Sequence, residues 1–180
     1  MSAGLLHLHN LLRLVIVVAG LVAVVRAFLG ASSGKPYNKA PATVFVASLH
    51  VQLILGFIIY FATSGLAAAF RADPGGSMKV AMLRFYGMEH VLLMLIAVVV
   101  ATIGSARTRR AQGDAAKHKT ARLFFTIAFV VLMLGNPWPF RGDGVGRGLF
   151  PGMSAASSEV APAAHVDDAV VPSTAEPVAK

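Results

Sequence analysis

Four apolar runs, Leu11–Leu29, Val44–Ala69, Phe85–Ile103 and Leu123–Leu134, leave this chain few folds to choose from. Crossing about 30 Å of hydrocarbon takes about 20 residues of α-helix. The first three runs meet that length. The fourth reaches it if the helix extends from about Lys119 through "NPWPF", with Trp138 and Phe140 at the water interface. Only 13% of the residues are charged, against about 25% in soluble domains, so the chain reads as an integral membrane protein. The spacing predicts helices over about 5–29, 43–69, 79–104 and 119–138, joined by short solvated loops. That makes an all-α, up-down-up-down four-helix transmembrane bundle over residues 1–142.

The connections "GASSGKPYNKAP" and "RADPGGS" carry the glycine, proline and polar residues of solvated loops. Two prolines in "GNPWPF" stop the last helix. Residues 143–180 lack apolar periodicity and read as a disordered low-complexity tail, with no chemistry assigned to its lone His165. Ala19, Gly20, Ala47, Ser48, Gly56, Gly87 and Gly104 punctuate the spans. Small residues of this kind let helices approach closely in lipid. No Lys or Arg precedes the first run and Arg26 stands near its end, which is not the pattern of a cleaved signal peptide.

The net charge of +8 flanks the spans and reads as orientation rather than nucleic-acid binding. "RTRRAQGDAAKHKTAR" between spans 3 and 4, with Arg26, Lys35 and Lys39 at the first loop, marks one face as cytoplasmic. Both termini then lie in the periplasm of a bacterial inner membrane. Arg13, Arg71, Lys79, Arg84 and Arg141 at the opposite face pull the other way. Without cysteine, thiolate metal sites, disulfides and covalent c-type haem are excluded.

Histidine is where the chemistry concentrates. His9 and His118 open spans 1 and 4, each followed four residues later by an arginine, Arg13 and Arg122, on the same helical face. His90 and His50 lie about six residues inside spans 3 and 2, roughly 9 Å deep at the helical rise. Pairing by side puts His9 with His90 and His118 with His50. Haem iron accepts axial imidazole, and an arginine can hold a propionate in fork geometry. Each His-x-x-x-Arg thus reads as an axial ligand with a propionate anchor. Two haem b sites so placed would differ in depth by roughly 12 Å; a single haem held by His50 and His90 is the variant. His7 cannot share a site with His9, since i and i+2 diverge on a helix. Glu89 and Gln52 are candidates for a proton or quinone site, although Arg84 lies within ion-pair reach of Glu89.

The segments "LLHLHNLLRLVIV", "HVQLILGFIIYF", "MLRFYGMEHVLLMLIAVVVATIG", "KHKTARLFF" and "NPWPFRG" together resemble small four-span membrane proteins labelled cytochrome B in bacterial genomes. The resemblance covers about residues 5–142. It implies haem held by His9, His50, His90 and His118, and electron transport as a subunit of a respiratory or quinol-linked complex rather than as a stand-alone enzyme. The expected partners are membrane lipid, other membrane or respiratory subunits and quinone. Two other readings stay open: a haem-free structural or assembly subunit, and a copper or proton-handling protein.

Overall fold

Hydrocarbon offers the backbone no hydrogen-bond partners, so a spanning segment must satisfy its own N–H and C=O groups, as a helix does. The computed structural model describes residues 2–149 and is helical wherever it is regular. Its elements are α1 (Ser2–Ser33), α2 (Ala40–Ile58, prolonged by a π turn over Ile59–Thr63), α3 (Gly65–Ala72) and α4 (Pro74–Ser77). They are followed by α5 (Ala81–Arg84, prolonged by a π turn over Phe85–Glu89), α6 (His90–Arg110) and α7 (Asp114–Gly135). Four units are long and apolar enough to cross a membrane: Gly4–Ser33, Ala40–Thr63, Ala81–Arg110 and Asp114–Gly135. The protein is a multi-pass, four-helix membrane bundle.

α1 packs on α2 and α7, and α6 packs on α7 and α2, closing a ring of four. The core is made of small residues around a few large ones. Ala97, Ala101, Ala121 and Ala128 are fully buried beside Phe45, Phe125 and Ile16, and the Phe45 and Phe125 rings meet edge to face at 6.2 Å. Alanine and glycine let the backbones approach, which is what drives association where lipid is as apolar as leucine. The outer surface is correspondingly apolar: Val18, Ile54, Phe61 and Leu134 are among the large side chains turned outward to lipid.

The boundaries differ from the sequence expectation in instructive ways. Span 2 does not run to residue 69. It ends at Thr63, because Ser64 turns extended (φ −83, ψ 110) and caps α3, its hydroxyl oxygen accepting the N–H of Ala67 at 3.1 Å. Span 4 gains its length at the opposite end from that expected. It starts at Asp114, after Gly113 in the left-handed region (φ 77), and stops at Gly135. Arg107, Arg109 and Arg110 in the last turn of α6, and Asp114 in the first turn of α7, each complement the helix dipole they adjoin. Those charges extend both helices beyond the hydrocarbon.

Residues 143–149, expected in the tail, instead fold back over the bundle as part of a strap from Asn136 to Leu149, with Val145 fully buried. The rest of the expected tail, including His165, lies outside the described residues.

The α6–α7 contact supplies a test of packing. A side chain at Gly104 would collide with Phe124. Gly104→Leu is expected to destabilise the bundle by about 1–3 kcal/mol, the usual cost of overpacking, read as a lowered melting temperature in detergent.

Candidate functional site

α1 presents His9 and, one turn on, Arg13 toward the bundle interior. Gln52 of α2 ties the helices together by donating its Nε2–H to the backbone carbonyl of His9 at 2.9 Å. The imidazole of His9 lies over Gly56, where even a β-carbon would stand 3.4 Å from Cε1. On α6 the π turn is decisive. The N–H of His90 bonds the carbonyl of Phe85, five residues back, and such an insertion rotates everything downstream by about 100° relative to an uninterrupted α-helix. His90 thereby reaches α7, where Nδ1–H donates to the carbonyl of Gly135 at 2.7 Å. That carbonyl belongs to the last turn of α7 and has no partner within its own helix. With Nδ1 as donor, Nε2 keeps the lone pair.

The result is two imidazoles from different helices with ring centres 6.4 Å apart and planes inclined by 72°. They border a cavity of about 330 Å³, walled on its apolar side by Leu53, Phe57, Val98 and Leu132. Arg13 lines it too, 6% exposed. Nη2 of Arg13 donates to the carbonyls of Gly148 (2.9 Å) and Leu149 (3.4 Å), and Nη1 to that of Pro137 (3.4 Å). Among the described residues it has no carboxylate partner.

Four buried side-chain atoms around this cavity lack a hydrogen-bond partner among the described residues: His9 Nδ1, Arg13 Nε, Gln52 Oε1 and Asn136 Nδ2. Buried polar atoms are almost always satisfied by protein or water. Four orphans around one cavity therefore mark a place for a polar ligand or ordered water, with donors from Arg13 and Asn136 and an acceptor from Gln52.

The strap roofs the cavity. The Tyr86 hydroxyl donates to the carbonyl of Val145 at 2.7 Å and accepts from Arg147 Nε at 3.0 Å, while Asn10 donates to Gly148. Asn136, Tyr86 and Arg147 were missed from sequence. Tyr86 reads as a headgroup-belt aromatic, Arg147 sits in a stretch that looks like tail, and Asn136 is masked by the prolines after it.

The remaining candidates lie elsewhere. His50 is exposed on the outside of the bundle, Nδ1 bonded to the carbonyl of Val46 at 2.8 Å and Nε2 3.4 Å from Thr102 Oγ1. His118 is buried against Gly30 and Tyr37, donating Nε2–H to the carbonyl of Lys35 at 3.0 Å. Arg122 is exposed with its guanidinium over Phe28. The second His-x-x-x-Arg therefore does not assemble as the first does, and His90 pairs with His9 rather than His50. Glu89 does not line the cavity; it forms an ion pair with Arg84 at 2.6 Å. Among the described residues no three His, Asp or Glu side chains gather closely enough to hold a metal ion by themselves.

No family model matches the chain, and no curated protein or solved structure does either.

The strap yields two predictions. Tyr86→Phe removes the bond to Val145 and the contact with Arg147. A typical net hydrogen bond is worth about 1 kcal/mol, so proteolysis or hydrogen exchange within 141–149 should speed up by about fivefold. The second concerns pH. The hydrogen bonds from Arg141 hold the Asp143 carboxyl below its ordinary value. This stabilisation is fully present above the ordinary carboxylate range near pH 4 and is lost as pH falls through the depressed folded value. Strap cleavage by an acid-tolerant protease should rise in that acid window, and Asp143→Asn should show the fast rate already at neutral pH.

Proposed function

We propose that this protein is a b-type electron carrier of the bacterial inner membrane, with one haem held between His9 and His90. The observation that carries the reading is the 6.4 Å between the two imidazole centres. One metal atom bonded at about 2.0 Å by two facing imidazoles requires ring centres roughly 6 Å apart. A porphyrin supplies four of the ligands itself, so two protein imidazoles suffice, whereas bare zinc or copper would call for a third or fourth side chain.

The neighbouring groups suit such a cofactor. The bond from His90 Nδ1 to Gly135 is the outer-shell contact that orients a metal-ligating histidine. Arg13 Nε and Asn136 Nδ2, donors without another partner among the described residues, would hold the propionates. The haem, when bound, supplies reversible one-electron chemistry. Quinone and a partner subunit are the proposed exchange partners, and Gln52 Oε1 is the acceptor available to a quinol hydroxyl. The basic turn between α6 and α7 supports a cytoplasmic assignment for that face and periplasmic termini.

A second reading, a haem-free structural subunit, is favoured by one observation: His50 and His118 are used in contacts within the protein. A single experiment separates the two. Protein purified from haem-replete cells should show the reduced-minus-oxidised spectrum of a low-spin bis-imidazole haem at about one haem per chain. His9→Ala and His90→Ala should lose it, and His50→Ala and His118→Ala should keep it. A colourless preparation, or a His9→Ala variant with full haem content, refutes the proposal.

A further inference from the structure

The opposite end of the bundle carries a second cavity, of about 340 Å³, between the last turns of α1, the loop 34–39 and the start of α2. Arg26 and Lys35 line it, and neither forms an ion pair among the described residues. The nearby acid, Asp114, accepts the N–H of Tyr37 at 3.0 Å and does not line the cavity. Asn38 contributes a further donor, since its Oδ1 accepts the N–H of Ala40 at 2.9 Å and its amide –NH₂ makes no hydrogen bond among the described residues. Tyr37, whose hydroxyl is pushed up by burial, stays protonated and can donate as well. Pro41 and Ala42 bring the positive end of the α2 dipole to the same wall. Donors and positive charge without a balancing carboxylate suit a phosphate group.

A second, independent observation refines the ligand. His118 is 5% exposed and lines this cavity. Its Nε2–H is committed to the carbonyl of Lys35, which leaves the lone pair on Nδ1, and that atom is buried without a partner among the described residues. An unfilled acceptor beside a cluster of donors calls for a ligand bearing a hydroxyl as well as a phosphate. The rim is also a lipid-facing surface, where Phe28 and Leu29 of α1 are turned outward.

We propose that this cavity binds the headgroup of an anionic phospholipid of the phosphoglycerol type. Arg26 and Lys35 hold the phosphodiester, and His118 Nδ1 accepts a headgroup hydroxyl. Basic pockets of this kind between membrane helices bind anionic headgroups. The site shares no residue with the His9–His90 cavity and stands whether or not haem binds there.

The test is lipid retention by the full chain, measured by native mass spectrometry after exchange into micelles holding equal phosphatidylglycerol and phosphatidylcholine. The wild type should retain phosphatidylglycerol preferentially. Arg26→Gln and Lys35→Gln should each lower its occupancy constant by about fivefold and the double variant by about twentyfold, with helicity and melting unchanged. His118→Asn should weaken phosphatidylglycerol but not phosphatidic acid, which has no headgroup hydroxyl substituent. Equal retention of the two micelle lipids, or wild-type retention by the double variant, overturns the site. Release of bound lipid by excess inorganic phosphate reassigns it to free phosphate and overturns the lipid proposal.

Discussion

Every polar group placed inside this bundle must find its partner within the protein, because the surrounding hydrocarbon supplies none. That constraint organises the interior more than apolar packing does, since side chains on the lipid face are solvated as well as those in the core. His90 meets it through the unpaired carbonyl that ends α7, His50 through the carbonyl four residues back on its own helix, and His118 through the carbonyl of Lys35. Arg13 meets it through carbonyls of the returning strap. Among the described residues seven buried side-chain atoms keep no partner, and four of them, at His9, Arg13, Gln52 and Asn136, gather around one cavity, the others standing apart at Thr108, His118 and Thr126. The candidate site is defined by what the bundle could not satisfy internally.

The two His-x-x-x-Arg pairs show how little a repeated motif settles by itself. Both place histidine and arginine on one helical face at a helix mouth. At the first, α6 faces the pair across the bundle and the strap closes over it, so Arg13 is buried and His9 meets a second imidazole. At the second, α1 approaches so closely at Gly30 that His118 is wedged against the loop, and Arg122 is left outside over Phe28. The difference lies in the partner elements, not in the motif.

The two π turns and the strap belong to one device. The Tyr60 hydroxyl, in the first π turn, donates to the carbonyl of Gly87, in the second, at 2.8 Å. Gly87 carries no side chain because Phe70 of α3 fills that space. The locked pair of turns aims His90 at α7 and Tyr86 at the strap. Arg141 joins the same assembly, its guanidinium over Phe85 and bonded to the carbonyl of Leu134. A π insertion at a functional side chain is a recurrent arrangement, and here it sets which residue faces the cavity.

Sequence alone determined that this chain is a four-span helical membrane protein, because the length and apolarity of a segment decide its partition into lipid before any tertiary contact forms. It also placed His9 and His90 at one level of the bundle, since depth follows from residue count at a fixed helical rise, and their ring centres do lie 6.4 Å apart. The Ser64-Gly65 step that ends span 2 is a turn-type dipeptide, but it lies inside an apolar run that reads as continuous from Val44 to Ala69. Tertiary structure decided the rest. Whether two imidazoles at equal depth converge depends on helix rotation, and rotation is set by close contacts at glycines and by a π turn that has no local signature. Whether residues 143–149 fold depends on carbonyls and a buried valine meeting Arg13 and Tyr86, partners more than fifty residues away, which no local reading of composition can supply.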